Sequence, residues 1–120
     1  MFIYYNAEPD GELLSDCVIR AISNALELPY YEVVNMLSTN GSFRECDAIC
    51  IDCYSKLLTH DLKLDHYVGH YTPVETIAED FSDNIVLIRI PGHLTCAKFG
   101  KVYDTWDCTA ELCTDFWVVK

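Results

Sequence analysis

Hydrophobic residues recur at helical spacing in the first half of the chain. After the loop "NAEPDGELL", an apolar stripe with intervals of three or four residues is formed by Cys17, Ala21, Ala25 and Leu28, with Val18, Ile22 and Leu26 beside it. This spacing predicts a helix with a wide buried face, and either Ser15 or Asp16 stands where its N-cap is expected. The alanines in the stripe would let another element pack closely against this helix.

Shorter elements are expected on both sides of this helix. The opening "FIYY" is typical of a strand. Pro29 cannot continue the first helix with a normal hydrogen bond, but it can stand near the start of a second short helix, "YYEVVNMLS". Ser42 can cap a third helix, "FRECDAICIDCYSKLL".

The second half of the chain changes to a strand pattern. It opens with "TPVETIAEDF", where Thr72 as N-cap, Pro73 at the first helical position and Glu75 form a capping box that predicts a short helix. Runs rich in β-branched and aromatic residues follow, with Gly100 and Lys101 as a tight hairpin between two of them; they are "NIVLIRI", "HLTCAKF", "KVYDTW" and "FWVVK". The pattern predicts an α+β fold in which N-terminal helices pack on a C-terminal antiparallel sheet.

Composition limits the size and setting of this fold. With 120 residues and 51% hydrophobic composition, the chain can bury one core, so we expect a single domain over residues 1–120. No stretch approaches the roughly 18 apolar residues of a membrane helix, and "MFIYYNAEPDGE" has neither the basic start nor the apolar run of a signal peptide. A cytoplasmic location is therefore expected, with no contact with membranes.

The charge balance limits the partners. Eight basic and 19 acidic residues give a net charge of −11, which opposes direct binding to nucleic acid or to an anionic membrane surface. A basic protein partner, or mimicry of a nucleic acid, stays compatible with such a surface.

The seven cysteines are an odd number for a disulfide framework, and a chain with this much apolar content does not need one, so we expect reduced thiols. Cys46, Cys50 and Cys53 have the three-cysteine spacing of some iron–sulfur enzymes. They also fall on one helical stripe, as core residues would, and the core interpretation is favoured. We expect no metal and no cofactor.

A histidine group raises the same question about metal. His60, His66 and His70 could join those cysteines around zinc, but no pair of closely spaced ligands supports such a site. A polar loop is the simpler interpretation of the three histidines.

One combination of residues indicates catalysis. A cysteine in the first turn of a helix is exposed to the positive end of the helix dipole, which favours the thiolate, and Cys17 has that position. Its base would be His93, at the start of a predicted strand after the "PG" break. Asp104 lies on the next strand, where antiparallel pairing can bring it near His93 to orient the ring.

Each of these residues also has an ordinary structural interpretation. A cysteine on a helix is most often a core residue, a histidine that opens a strand is usually a polar residue at a sheet edge, and Asp104 before "TWD" could cap a turn. Individually these interpretations are favoured. The combination is what favours a catalytic triad, because chance seldom supplies all three residues in this order and context.

The segments "DCVIRAISNAL" and "HLTCAKFGKVYDTWDC" resemble small bacterial and phage proteins related to papain-like cysteine peptidases, including the bacteriocin-processing double-glycine peptidases. The resemblance covers these two blocks and leaves the middle of the chain unmatched. It implies a papain-like fold with Cys17 as nucleophile, His93 as base and Asp104 as orienting acid. Relatives usually supply an oxyanion-binding glutamine before the cysteine, whereas this chain contains no glutamine. Asn6, assisted by the backbone N–H of Cys17, is the replacement expected here.

These residues lead to two hypotheses of different classes. The first is a cysteine peptidase, or a related acyl-transfer enzyme, that uses a Cys-His-Asp triad on a protein or peptide substrate. The second is an acidic, non-catalytic binding protein of phage type, derived from the same fold, that blocks a host factor, with mimicry of nucleic acid as one way to do so. The enzyme is favoured because a charge mimic has no need of such a triad.

Overall fold

The computed structural model describes residues 1–11, 16–44 and 51–120. The chain has an α+β fold built on a six-stranded sheet with the strand order β1-β5-β4-β3-β6-β2. The elements in chain order are β1 (Phe2–Tyr4), α1 (Cys17–Leu26), α2 (Tyr30–Arg44), α3 (Ile51–Lys56) with a π-helical turn (Leu57–Asp61), β2 (Asp65–Pro73), α4 (Val74–Asp80), β3 (Ile85–Ile90), β4 (His93–Lys98), β5 (Lys101–Asp104) and β6 (Leu112–Val118).

The sheet is mixed, and the prediction of an antiparallel sheet is wrong at one edge. β1 pairs with β5 in parallel, with Phe2 opposite Val102, whereas the other neighbouring strands pair antiparallel. A parallel pair cannot be joined by a tight hairpin, and most of the chain, including β2, β3 and β4, lies between β1 and β5. The apolar pattern of "FIYY" predicts that strand but carries no information on the direction of its partner.

β2 was not predicted, because its residues were interpreted as a polar loop. It is an edge strand whose side chains are mostly exposed, so it lacks the apolar alternation that marks a half-buried strand. A bulge interrupts its pairing with β6, and both His70 and Tyr71 have positive φ there. Gly69 is required beside the bulge, since a Cβ atom at this position would lie 2.4 Å from the sulfur of Cys113.

Two helix boundaries differ from the prediction. Ser42 does not cap a third helix, because α2 continues through it to Arg44; residues 45–50 lie outside the described residues. The capping box at Thr72 does not form, since α4 begins at Val74 with Pro73 as its N-cap residue and no side-chain cap. The ladder between β2 and β6 extends through Pro73, and the first N–H groups of α4 are satisfied by backbone carbonyls instead, those of Glu111 and Thr109.

Hydrophobic residues on the two faces of the sheet form separate clusters. Along β3 and β4, Leu87, Leu94 and Cys96 face the helices α1, α2 and α3, whereas Val86 and Ala97 face α4. This alternation is what a sheet covered on both faces requires. It confirms the interpretation of Cys96 as a core residue.

The first helix packs against β4, as the sequence predicts. α1 begins at Cys17, and Ile22 and Ala25 on its inner face are almost fully buried. The helix ends at Glu27, which adopts a left-handed conformation. Among the described residues, no helix is both long and apolar enough to cross a bilayer.

Two tight turns set the register of β3, β4 and β5. Gly92, with a φ of 71°, closes the turn between Ile90 and His93. Phe99 and Gly100 both have positive φ and form the two-residue hairpin between β4 and β5. The predicted hairpin is therefore confirmed, with the turn one residue earlier than "GK".

The expectation of reduced thiols is wrong for one cysteine. Cys53 is disulfide-bonded. Cys46 and Cys50, which the sequence placed on one helical stripe with Cys53, lie outside the described residues. Composition and chain length carry no information on which cysteines lie close together, so the bond was not foreseen. The free thiols among the described residues are Cys17, Cys96, Cys108 and Cys113.

Candidate active site

Cys17 is the first residue of α1, at the junction between this helix and the sheet. Its half-buried sulfur is hydrogen-bonded to the ring of His93 and accepts the backbone N–H of Leu94. The first hydrogen bond of α1 runs from the Arg20 N–H to the Asp16 carbonyl. Earlier N–H groups in the first turn therefore have no acceptor within the helix, and they add to the positive potential at the sulfur.

His93 and Asp104 meet across the hairpin that joins β4 and β5. The register pairs Cys96 with Tyr103, which places Asp104 diagonally opposite His93 on one face of the sheet. Nε2 of His93 lies 2.6 Å from Oδ2 of Asp104, and both side chains are at most 10% exposed. The N–H of Thr105 donates to the other carboxylate oxygen over 2.7 Å. Since Nε2 is occupied, Nδ1 is the ring nitrogen left for Cys17.

These contacts shift the pKa values of all three groups in the direction that forms ions. Burial by itself would lower the pKa of His93, but hydrogen bonds to Asp104, Cys108 and Cys17 outweigh it and raise this pKa to about 11. Burial would likewise raise the pKa of Cys17, yet the bonds from His93 and Leu94 hold it below its usual value. The pKa of Asp104 is also lowered, because its hydrogen bonds and the nearby imidazolium outweigh its burial. Over the pH range between the pKa of Cys17 and that of His93, the pair exists as thiolate and imidazolium.

Arg20 connects the helix start to the orienting carboxylate. Its guanidinium forms a buried ion pair with Asp16, and Nη2 lies 4.0 Å from Oδ1 of Asp104. The hydroxyl of Tyr30 donates to the second oxygen of Asp16 over 2.6 Å. The Asp16 carboxylate is thus held away from the end of the helix, where it would otherwise oppose ionisation of Cys17. Sequence reasoning missed Arg20 and Tyr30, although the four-residue spacing of Asp16 and Arg20 was a signal for an ion pair.

We expect Arg20→Met to slow the alkylation of Cys17 by iodoacetamide at mildly acidic pH several-fold. The charge of Arg20 lowers the pKa of Cys17, and its removal leaves the carboxylates of Asp16 and Asp104 to favour the protonated thiol. The pH dependence of the alkylation rate, followed by mass spectrometry, measures the effect. Arg20→Lys keeps the charge and should retain more of the rate.

The control for this prediction is Lys98→Met, which removes one positive charge from a side chain that contacts Asn24 and Glu27. Breaking a buried ion pair costs about 3–5 kcal/mol, so the single Arg20 variant could be unstable. The double variant Asp16→Asn/Arg20→Met removes both charges of the ion pair and gives a second measurement of the alkylation rate. Alkylation at the wild-type rate in folded Arg20 variants would contradict an electrostatic role for Arg20.

A cavity of about 520 Å³ opens beside the sulfur of Cys17. Trp106 covers part of the His93 ring, with the ring centroids 5.1 Å apart, while remaining 42% exposed. The sequence placed Trp106 at the end of the predicted strand "KVYDTW" and gave it no role in the site. The described residues that line the cavity are Asp16, Cys17, Val18, Arg20, Ile51, Tyr54, Arg89, Ile90, Gly92, His93 and Trp106.

Asn6, the expected oxyanion donor, is not among the described residues that line this cavity. Its side-chain oxygen accepts the N–H of Glu8 over 3.0 Å in the loop after β1. The structure therefore brings Cys17, His93 and Asp104 together but does not bring Asn6 to the cavity. The backbone N–H groups at the start of α1 are the donors nearest to the sulfur along the chain.

One group among the described residues could hold a metal ion. The ligand atoms of His93, Asp104 and Cys108 lie within 4.8 Å of one another. Nε2 of His93 and Oδ2 of Asp104 are also hydrogen-bonded to each other over 2.6 Å. A metal ion bound here would have to displace the proton between them.

The histidines considered for zinc lie elsewhere. His66 is bonded to Asp115 over 2.7 Å and stacks on Trp117, His60 lies in the π-helical turn, and His70 lies in the bulge of β2. Within the described residues they do not form a group of metal ligands.

Comparison with known protein families, with curated proteins and with solved structures found no match to this chain. The site is therefore interpreted from its own geometry. A thiol, an imidazole and a buried carboxylate form a continuous series of hydrogen bonds beside a cavity. Such a series can hold a thiolate next to a proton donor, which is the requirement for covalent attack by sulfur.

Proposed function

We propose that this protein is a cysteine peptidase, or a related acyl-transfer enzyme, with a papain-like arrangement of Cys17, His93 and Asp104. The observation that carries the proposal is the hydrogen-bonded series from the Cys17 sulfur through His93 to Asp104, open to a cavity of about 520 Å³. Volumes in this range accommodate small ligands or a few residues of a peptide.

The first half of the reaction forms an acyl-enzyme. The Cys17 thiolate attacks the acyl carbon of the substrate, and the electron pair of the carbonyl bond moves onto its oxygen. The N–H groups in the first turn of α1 donate to this oxyanion. The intermediate then collapses as the bond from carbon to the leaving group breaks, and the His93 imidazolium gives its proton to the departing amine.

The second half regenerates the enzyme. His93, now neutral, takes a proton from water, which attacks the thioester carbon; the bond to sulfur then breaks and the Cys17 thiolate leaves. An amine or thiol in place of water would give acyl transfer. Asp104 keeps the His93 ring in the orientation that serves both halves and stabilises its charged form.

The positions of the three residues in the fold are a second argument for this assignment. The resemblance in the two sequence blocks implies a cysteine at a helix start, a histidine at a strand start and an acid on the next strand. These are the positions of Cys17, His93 and Asp104 in α1, β4 and β5. Asn6 has no role in the mechanism proposed here.

We expect Cys17 to be alkylated faster than any other free thiol of the native protein at mildly acidic pH. Its pKa is lowered, whereas burial raises the pKa values of Cys96 and Cys113 to about 12. Treatment with a limiting amount of iodoacetamide, followed by peptide mapping in a mass spectrometer, ranks the sites. Faster labelling of Cys96, Cys108 or Cys113 would contradict the proposal.

A further inference from the structure

We propose that Arg89 makes the cavity beside Cys17 a binding site for a carboxylate, so that the substrate is an acyl compound with an acidic group on an apolar body. The inference rests on the proposed function for the reaction, whereas carboxylate binding itself can be tested without turnover. Cys17 and Arg89 both line the cavity, so one bound molecule can contact both residues.

Arg89 is held in place by one side of its guanidinium. It lies on β3, and its Nε donates to Oδ1 of Asp115 over 2.5 Å. Among the described residues, its two terminal nitrogens have no hydrogen-bond partner, and the side chain is 29% exposed. Four N–H donors on a fixed planar fork therefore remain for a ligand, which is the geometry that binds a carboxylate through two parallel hydrogen bonds.

The other charged groups that line the cavity are already engaged in the site. Asp16 is bound by Arg20 and Tyr30, and His93 is bound by Asp104. Among the described lining residues, Arg89 is thus the charged group with donors available for a ligand.

The carboxylate partner of Arg89, Asp115 on β6, also contacts other side chains. Asp115 is not one of the described lining residues, and its other oxygen is bound by His66 over 2.7 Å. The hydroxyl of Thr114 lies 3.0 Å from the oxygen that Arg89 also binds and 3.1 Å from the backbone carbonyl oxygen of Arg89, and its single hydrogen can be donated to one of the two. The Asp115 carboxylate thus interacts with His66 and Thr114 as well as with Arg89.

The side chains that line the cavity indicate the chemical character of the rest of the ligand. Apolar side chains surround the space between Arg89 and Cys17, namely Val18, Ile51, Tyr54, Ile90 and Trp106. Such walls favour an aliphatic or aromatic body, and a single polar group at one end then fixes its orientation. The net charge of −11 repels anions at long range, but salt screens that repulsion more than it screens a contact pair inside the cavity.

The test compares two alkylating reagents of nearly equal size, iodoacetate and iodoacetamide, at Cys17. The ratio of their rates reports the local potential for a carboxylate, and the rate with iodoacetamide alone reports the nucleophile. We expect Arg89→Gln to lower the ratio by a factor on the order of 3, the effect of one charge several ångströms away in a partly solvated site. Lys98→Gln, the matched control, removes the same charge near Asn24 and Glu27 and should leave the ratio unchanged.

An equal ratio in Arg89→Gln and the wild type would overturn the inference, and so would an equal fall in the Lys98 control. A slow iodoacetamide reaction at mildly acidic pH would instead count against the proposed function. The ratio can then still be measured at mildly alkaline pH, where any thiol reacts.

The source of the carboxylate can be distinguished by protection of Cys17 from iodoacetamide. One probe is an N-acetyl peptide amide with a single glutamate side chain, and the other is an N-acetyl peptide of apolar residues with a free C-terminus. Protection by one probe that is lost in Arg89→Gln identifies an acidic side chain or a terminal carboxylate, respectively. Equal protection by an uncharged peptide amide would contradict recognition by Arg89.

Discussion

Replacing Cys17 with alanine should abolish turnover and leave the fold nearly intact. In a unit of nucleophile and base, loss of the nucleophile reduces kcat roughly a million-fold. The structural cost should be small, about 1 kcal/mol or less, because only one sulfur atom is removed from a half-buried position at the end of a helix. Peptide cleavage in a complex peptide mixture, together with thermal unfolding of the same samples, measures both effects.

The matched control is Cys96→Ala, which removes a fully buried thiol from the core under α1. This variant should lose stability but keep its turnover. Combining Cys17→Ala with His93→Ala should do no more harm than Cys17→Ala alone, because the members of one catalytic unit are not additive. A folded Cys17→Ala variant with full biological effect would reject the enzyme. If that effect also weakened as surface carboxylates were neutralised, the acidic binding protein would be the better hypothesis.

Replacing His93 with glutamine should slow alkylation of Cys17 at mildly acidic pH about 100-fold and remove turnover. The imidazolium both stabilises the thiolate and supplies the proton for the leaving group, and a positioned acid–base group typically contributes a factor of this size or more. Glutamine can donate to Asp104 but carries no charge. The rate in the variant should therefore rise only as the pH approaches the ordinary pKa of a thiol.

The same variant has a pH signature in stability. The pKa of His93 is raised from 6.5 to about 11 in the folded protein, so its contribution to stability is complete below pH 6.5 and disappears as the pH rises through 11. Relative to His93→Gln, the wild type should lose free energy of unfolding across this interval. Asp104→Ala should reduce turnover less than either change at Cys17 or His93, since Asp104 acts through the ring. Wild-type alkylation at acidic pH in His93→Gln would contradict the thiolate–imidazolium pair.

The start of α1 and the proximity of His93 and Asp104 were readable from the sequence because both depend on local signals. The apolar stripe locates the helix. Gly100 indicates a short hairpin, and a short hairpin restricts the register of the two strands that it joins. The catalytic roles of these residues stay predictions. The oxyanion role of Asn6 also stays a prediction, since Asn6 is not among the described residues that line the cavity.

The remaining features depend on contacts between distant segments. β2 is exposed and therefore has no apolar alternation, and the parallel pairing of β1 with β5 joins segments that are separated by most of the chain. Arg89 belongs to a strand whose apolar pattern predicts burial, so the sequence carried no sign that this residue has hydrogen-bond donors available for a ligand. The disulfide of Cys53 likewise depends on proximity that composition does not reveal.

The contact between the Leu94 N–H and the Cys17 sulfur crosses the boundary between α1 and the sheet. The thiol thus becomes a strong nucleophile only after two segments, far apart in the chain, have docked. A nascent or partly unfolded chain carries an ordinary thiol there, with little reactivity toward neighbouring molecules. Under the proposed function, the reactive form of this thiol therefore depends on the completed fold.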